Sequence, residues 1–289
     1  MSQKHPVVAI TGSSGAGTTT VKLAFEHIFR REMIKPAIIE GDSYHRYERA
    51  EMKIKMADNN MSHFGPEANE FGVLADTFKA YGGSGMCQRR YYLHSDEEAA
   101  HHNGRLGTDK GPGEFTPWED IEAGTDLLFY EGLHGLAKSD EDDVSEYVDL
   151  GIGVVPIVNL EWIQKIHRDN AERGYSAEAI VDSILRRMPD YINYITPQFS
   201  RTDINFQRVP TVDTSDPFIA RDIPTPDESF VVIRFRDPKK FGTDFQYLLS
   251  MIDGAFMSRR NSIVVPGGKM GMAMEIILAP IIHDMMANR

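Results

Sequence analysis

The sequence predicts an α/β protein with three layers, in which a mostly parallel sheet carries an antiparallel extension near the C-terminus. Two observations lead to this prediction. Short apolar runs rich in β-branched residues alternate with helical stretches through the first two-thirds of the chain, and strands separated by helices form parallel sheets. From Ser229 onward, strand-like runs surround a turn and precede a closing helix, which indicates antiparallel strands.

Four strands and two helices follow from these patterns. The stretch Thr18–Arg31, "TTTVKLAFEHIFRR", places apolar side chains on one helical face. A second helix, "LEWIQKIHRDNAERG", follows the last of the four strands. The predicted strands are Val7–Thr11, Pro36–Gly41, Leu127–Tyr130 and Asp149–Val158.

Two further features concern the organisation of the chain. The stretch Gly82–Gly113 is rich in glycine, charge and histidine. It predicts a long mobile loop, and loops of that length are usually functional or disordered. The chain of 289 residues shows no internal repeat, low-complexity tract or clear linker, so we expect one domain over residues 1–289.

Composition and charge restrict the possible partners. The net charge is 31 − 43 = −12, and so negative a surface repels nucleic acid. No apolar run approaches the roughly 20 residues of a membrane span, and the N-terminus lacks a secretory pattern. The single cysteine, Cys87, excludes an intramolecular disulfide and a cysteine-based zinc site. We therefore expect a cytoplasmic protein with neither a nucleic-acid nor a membrane partner.

The stretch "TGSSGAGTTTVK" after the first strand nearly matches the phosphate-binding signature G-x-x-x-x-G-K-[ST]. Its glycines allow backbone N–H groups to approach phosphate oxygens, and the following helix offers its N-terminus. Thr18 stands where the lysine belongs, whereas Thr19 holds the [ST] position and offers a hydroxyl to Mg²⁺. A tight strand-to-helix turn would also need glycines. The candidate nucleotide-binding residues are Gly12, Ser13, Ser14, Gly15, Ala16, Gly17, Thr18 and Thr19.

A replacement for the missing positive charge is available in "WIQKIHRDNAERGYS". On a helix, Lys165, Asp169 and Arg173 follow at intervals of four residues and share one face. Arg168 lies next to Asp169. The alternative is a salt-bridged surface, in which each pair contributes about 0.3–0.5 kcal/mol.

Two acids end predicted strands, where ligands of parallel sheets gather. Asp42 opens "DSYHR" beyond the second strand and is suited to accept the proton of a substrate hydroxyl. His45 and Arg49 follow it and are suited to an anionic part of that substrate. Glu131 ends "LLFYEG", which is a Walker-B-like pattern for holding Mg²⁺. Each acid could instead be a helix N-cap or a turn residue.

Several longer strings resemble the bacterial phosphoribulokinases over nearly the whole chain. They are "TGSSGAGTTTVK", "EGDSYHRYER", "FYEGLHG", "VVPIVNLEWIQKIHRDNAERGYS", "YITPQFSRTDINFQRVPTVDTS" and "IRFRDP". The resemblance implies a P-loop nucleoside-triphosphate hydrolase-like fold and transfer of the γ-phosphate of MgATP to the 1-hydroxyl of ribulose 5-phosphate, a reaction of carbohydrate metabolism and the Calvin cycle. Uridine and pantothenate kinases are similar mainly at the loop and the R-D-x-x-x-R-G segment.

The resemblance also implies a role for each matching residue. Asp42 would be the catalytic base and Glu131 a Mg²⁺ ligand. Lys165, aided by Arg168, would stabilise the transferring phosphoryl group, and Asp169 would be catalytic. The residues that would hold or adjoin the sugar phosphate are His45, Arg49, Arg173 and His134.

Regulation and assembly are implied in the same way. Bacterial members of the family are typically octameric and activated by NADH, and Arg31, Arg234 and Arg259 match arginines tied to that control. The plant-type cysteine in the phosphate loop is Ala16 here. Two other functions remain open: a related kinase that acts on another phosphorylated sugar or a nucleoside, and a nucleotide-binding regulator without catalysis.

Overall fold

A computed structural model describes residues 4–12, 18–59 and 61–289, without the side chains of residues 18, 19, 58, 59, 172 and 173. The strands are β1 (Val7–Gly12), β2 (Pro36–Glu40), β3 (Gln88–Arg89), β4 (Glu119–Asp120), β5 (Leu127–Gly132), β6 (Leu150–Pro156), β7 (Ile204–Pro210), β8 (Ser229–Phe235), β9 (Phe256–Arg259) and β10 (Ser262–Pro266). The helices are α1 (Thr18–Arg31), α2 (Arg49–Asn59), α3 (Phe71–Ser84), α4 (Asp96–Leu106), α5 (Val158–Arg173), α6 (Ala177–Asp190), α7 (Gln198–Arg201), α8 (Phe245–Met251) and α9 (Met270–Ala287).

Within the described parts of the chain, eight strands form one sheet in the order β2-β5-β1-β6-β7-β8-β10-β9. The pairs β2–β5 and β6–β7 are parallel, whereas β7–β8, β8–β10 and β10–β9 are antiparallel. The prediction of a mostly parallel sheet with an antiparallel extension near the C-terminus is therefore confirmed. The four predicted strands and two predicted helices are present, with ends shifted by one or two residues.

The chain divides into two compact units, each built from separate segments. The first unit comprises Met1–Ala9, Pro36–Asp149 and Arg186–Gln198. Its core packs the buried faces of β2 and β5 against α3, through side chains such as Ile39, Phe78 and Tyr130. The expectation of one domain over residues 1–289 stays a prediction.

The second unit comprises Ile10–Lys35, Leu150–Leu185 and Phe199–Arg289. Helices α1 and α9 face each other in this unit. His27 Nδ1 lies 3.0 Å from Glu275 Oε1, and His283 Nδ1 lies 2.8 Å from Glu32 Oε2. Both helices also carry buried apolar residues, including Phe25 and Leu278.

The prediction of a long mobile loop over residues 82–113 is wrong. Helix α3 continues to Ser84, β3 pairs with β4, and α4 occupies the centre of the stretch. The Ser95 hydroxyl accepts a hydrogen bond from the backbone N–H of Glu98 at 3.2 Å, which caps α4, and three acids occupy its first turn. An N-cap serine and acids near the positive end of the helix dipole stabilise a helix in spite of its glycine and histidines.

Two expectations about the C-terminal part also need correction. The segment after β8 does not return as a local hairpin, because residues 237–243 lead into α8, whose N-cap Asp244 accepts hydrogen bonds from the N–H groups of Gln246 and Tyr247. The partners of β8 are β7 and β10.

Contrary to our reading of the apolar runs, the helical stretch Gly267–Ala287 is long and apolar enough to cross a membrane by length and composition alone. Its most apolar window is 44% buried within the protein, as in a core helix.

Candidate functional site

Asp42 lies in a 3₁₀ turn, Gly41–Tyr44, directly after β2. The first residue of this turn, Gly41, must be glycine for steric reasons. A Cβ atom on Gly41 would lie 2.7 Å from the Cα of Gly132 at the end of β5, and 2.6 Å from the Tyr130 hydroxyl. The close approach of these two strand ends places Asp42 near the carboxyl end of β5, which carries Glu131.

Two imidazoles contact the Asp42 carboxylate. His45 Nε2 lies 3.4 Å from Asp42 Oδ1, and His94 Nε2 lies 3.4 Å from Oδ2. His94 belongs to the stretch that we predicted to be a mobile loop, and no pattern in that stretch assigns it a role. The structure adds it to the site through a contact between residues far apart in the chain.

The side chain of Asn69 determines the protonation of His45. The Asn69 amide nitrogen donates to the carbonyls of His63 and Gly65 at 2.9 and 2.7 Å, so its Oδ1 faces His45. His45 Nδ1 lies 2.8 Å from that oxygen and must donate a proton to it. Contact of Nε2 with a carboxylate then favours a second proton on the ring, so that the imidazole is cationic.

The pKa values agree with this arrangement. Burial alone would raise the pKa of Asp42, but the hydrogen bond from His45 and the charges of the nearby histidines lower it to about 2. Burial alone would lower the pKa of His45, but the contacts with Asp42 and the bond to Asn69 raise it above its ordinary value. The low pKa means that the Asp42 carboxylate is ionised at neutral pH. The Asp42 side chain keeps 42% of its surface exposed, so the carboxylate is also accessible.

The other predicted substrate-binding residues of this unit lie in different environments. Arg49 begins α2, donates from Nη2 to the His94 carbonyl at 3.3 Å and lies over the Tyr92 ring. His134 is only 3% exposed, with Nε2 3.1 Å from the Phe64 carbonyl. Burial and the charge of His45 lower the pKa of His134 to about 3. His134 therefore faces protein, and its part in substrate binding stays a prediction.

In the second unit, α5 carries a buried carboxylate between two cations. Asp169 is 4% exposed at its side chain and pairs with Lys165, which is 16% exposed. Nε and Nη2 of Arg168 both donate to Asp169 Oδ1 at 3.1 Å. These residues therefore do not form a solvated surface, the alternative that their spacing left open. The side chain of Arg173 lies outside the described residues.

The nucleotide-binding loop is described only at its edges. Gly12 ends β1, and a Cβ atom there would lie 2.5 Å from the Val154 carbonyl oxygen of β6, so only glycine fits. Ser13, Ser14, Gly15, Ala16 and Gly17 lie outside the described residues, as do the side chains of Thr18 and Thr19, whose backbone opens α1. Their nucleotide-binding role stays a prediction.

Glu131, the predicted Mg²⁺ ligand, lies at the carboxyl end of β5 with a half-buried side chain. In the described part of the chain, no cluster of three or more histidine, cysteine, aspartate or glutamate residues is arranged to hold a metal. A single carboxylate suits Mg²⁺, which is commonly bound by one or two carboxylates together with substrate phosphates. The donor available here therefore fits the ion.

The three arginines predicted to mediate allosteric control all lie in the second unit. Arg234 of β8 and Arg259 of β9 are both in register with Ser262 of β10, one on each side. Arg234 also donates to the Phe199 carbonyl at 2.7 Å. Arg31 lines a surface cavity of about 610 Å³ with Tyr247 and other residues of α8 and α9. Two of the three arginines therefore share a register position on the strands that flank β10.

Comparison with known proteins identifies the class. A family model described as "Phosphoribulokinase / Uridine kinase family" matches residues 7–215. The chain is 61% identical over 295 residues to the chromosomal phosphoribulokinase of Cupriavidus necator, covering 100% of this chain and 98% of that protein. It is 57% identical over 295 residues to the phosphoribulokinase of Nitrobacter vulgaris, covering 100% and 99%. A solved structure of phosphoribulokinase from Rhodobacter spheroides superposes with a TM-score of 0.88 at 52% identity, covering 99% of both chains.

These matches, with the α/β fold and its strand-end acids, define a kinase. The chain belongs to the phosphoribulokinase / uridine kinase family.

Proposed function

We propose that this protein is an ATP-dependent kinase that phosphorylates the 1-hydroxyl of D-ribulose 5-phosphate and releases D-ribulose 1,5-bisphosphate and ADP. The observation that carries the proposal is the 61% identity to a phosphoribulokinase over the full chain. The ionised, accessible Asp42 carboxylate gives this reaction a group that can accept a hydroxyl proton.

Asp42 is assigned to the acceptor sugar. As a carboxylate it accepts a hydrogen bond from the 1-hydroxyl, orients that oxygen for attack and takes its proton as the phosphoryl group is transferred. Its low pKa keeps the Asp42 carboxylate ionised at neutral pH, and therefore able to accept that proton. His45, Arg49, Arg173 and His134 are assigned to the sugar and its 5-phosphate.

The residues of α5 are assigned to the phosphoryl group. Positioned cations stabilise the charge on a transferring phosphoryl group, and Lys165 and Arg168 are the candidates for this role. Asp169 orients both cations through its ion pairs. Bound Mg²⁺ would be held by Glu131 and Thr19 and would neutralise charge on the ATP phosphates.

The proposed activity is tested by substrate-dependent ADP release from purified protein with MgATP. Ribulose 5-phosphate, ribose 5-phosphate and uridine should be compared at equal concentration. We expect turnover only with ribulose 5-phosphate. Turnover only with ribose 5-phosphate or uridine would identify a related kinase, and binding of MgATP without consumption of any acceptor would identify a nucleotide-binding regulator.

We further propose that the protein is a homo-oligomer of eight subunits and that NADH activates it. The common register position of Arg234 and Arg259 on the two strands that flank β10 supports an anion site there. Light scattering after size-exclusion chromatography measures the assembly. If NADH is the effector, it should increase turnover of the wild-type protein, and the increase should be lost in Arg234→Ala; equal activation of both proteins would contradict the assignment.

A further inference from the structure

Arg90 holds the backbone of the turn that carries Asp42. Its Nε donates to the Ser43 carbonyl at 2.8 Å, and its Nη2 donates to the His45 carbonyl at 2.9 Å. Both acceptors lie within three residues of Asp42, whereas Arg90 is 48 positions further along the chain. The guanidinium therefore fixes the turn from outside.

Two aromatic rings hold the Arg90 guanidinium in place. The Arg90 Cζ lies 3.8 Å from the ring centroid of Phe115 and 4.8 Å from that of Trp118. Trp118 also contacts Tyr44, the last residue of the 3₁₀ turn, at a centroid distance of 5.8 Å. An arginine stacked on aromatic faces has few alternative positions, so its two hydrogen bonds act as rigid supports.

Hydrogen bonding within the turn is sparse, and its carbonyls find partners outside it. The Tyr44 carbonyl accepts from the Glu70 N–H at 2.8 Å, and Arg90 binds the carbonyls on either side of it. The backbone N–H of His45 donates to the Asp42 carbonyl at 3.3 Å, a long bond, and the final carbonyls of a helical turn lack partners within that turn. The planar fork of arginine reaches two carbonyls at once. A lysine ammonium, which is a single point charge, does not reproduce this geometry.

We propose that Arg90 is a positioning residue, which holds the 42–45 turn so that the Asp42 carboxylate and the His45 ring keep their mutual orientation. Its effect on turnover rests on the proposed function, in which Asp42 receives the hydroxyl proton. The competing explanation is direct binding of a substrate phosphate by Arg90. The two explanations predict different kinetics, because a positioning residue changes kcat and a phosphate-binding residue changes KM for the sugar phosphate.

The kinetic experiment compares Arg90→Lys and Arg90→Ala with the matched control Arg89→Lys. Arg89 is the adjacent arginine, but it pairs with Glu119 at 3.3 Å and lies over Tyr91 instead of contacting the turn. We expect both Arg90 variants to lose on the order of 10–10²-fold in kcat, the range for small misplacement of a catalytic group, with KM for ribulose 5-phosphate changed by less than about threefold. Arg89→Lys should stay within about twofold of wild type. Added guanidinium should partly restore kcat of Arg90→Ala, because it can occupy the space between Phe115 and Trp118.

An increase in KM with kcat unchanged would overturn the proposal in favour of phosphate binding, and unchanged kinetics would overturn it outright. A second readout is independent of turnover. The His45 ring faces Asp42, Asn69, His63 and Tyr92. The charge of Arg90, which a lysine at this position retains, lowers the pKa of His45. The titration of His45 can be followed by NMR in isotope-labelled protein. In Arg90→Lys the pKa of His45 should move down toward 6.5 as the contact with Asp42 loosens, whereas Arg89→Lys should titrate as wild type does. An unshifted titration would contradict the positioning role even if the wild-type protein did not phosphorylate ribulose 5-phosphate.

Discussion

At the scale of single residues, the partners of each candidate functional side chain limit what it can do. Asp42 is ionised because two imidazoles contact it, and His45 is cationic because Asn69 accepts the proton of its other ring nitrogen. Asp169 is likewise buried between Lys165 and Arg168. Cys87 is buried, and burial raises the pKa of its thiol to about 12. The thiol therefore takes no part in the proposed phosphoryl transfer.

Replacing Asp42 tests the base directly. Asp42→Asn keeps the shape of the side chain and removes the charge that accepts the proton. We expect kcat to fall by on the order of 10²-fold or more, the range for loss of a general base, with binding of MgATP nearly unchanged by calorimetry. Asp120→Asn, on the exposed end of β4, is the control and should keep full activity. Full turnover of Asp42→Asn would remove Asp42 from the mechanism.

Replacing Lys165 tests the source of the cation that Thr18 cannot supply. Lys165→Met keeps the length of the side chain but removes the ammonium that pairs with Asp169. We expect a large fall in kcat and a modest change in KM for ATP, because the ammonium is assigned to the transferring phosphoryl group rather than to ground-state binding. Circular dichroism should show a folded protein. A folded variant with wild-type kcat would show that another group replaces the loop lysine.

At the scale of elements, the sequence predicted the strands that carry the acids but not the segments that complete their environment. Asp42 and Glu131 were placed correctly after β2 and at the end of β5, because a β-branched run followed by an acid is a local signal. The approach of His94 and Arg90 to the 42–45 turn depends on contacts across about 50 positions, for which one sequence holds no signal. Helix α4 was missed although Ser95 followed by three acids is a recognisable helix start.

The ends of β2 and β5 give an element-scale prediction. Because a Cβ atom on Gly132 would lie 2.6 Å from the Gly41 Cα and from the Tyr130 hydroxyl, Gly132→Ala should force the two strand ends apart. We expect the free energy of unfolding to fall by about 1–3 kcal/mol, the range for overpacking, as measured by urea denaturation. Gly83→Ala in α3 is the matched control, since no atom lies within 4 Å of its added Cβ. It should be neutral or stabilising by up to about 1 kcal/mol, and equal stability of the two variants would contradict the steric argument.

At the scale of the whole molecule, buried histidines should make the stability depend on pH. Burial lowers the pKa values of His63 and His134 to about 3, whereas in the unfolded chain each titrates near about 6.5. Between these values the unfolded state binds more protons, so stability decreases as the pH falls below 6.5. His45, whose pKa is raised, acts in the opposite sense: its contribution is present below 6.5 and is lost as the pH rises through its higher folded value.

We therefore expect the melting temperature to fall between pH 6.5 and pH 4.5, measured by differential scanning calorimetry at constant ionic strength. In His134→Gln the slope should be shallower, because the amide can still donate to the Phe64 carbonyl but takes up no proton. Equal slopes in His134→Gln and wild type would show that His134 does not contribute to the acid sensitivity.

The isolation of Cys87 has a practical consequence for experiments. Because the chain's one thiol is buried and remains protonated, maleimide dyes should leave the native protein unmodified. A cysteine introduced at Ile219, which is 75% exposed, would then be a unique attachment point for a fluorophore. Its neighbour Phe218 stacks on Trp162 of α5, so such a dye would report optically on the helix that carries Lys165 and Asp169, without removal of any native cysteine.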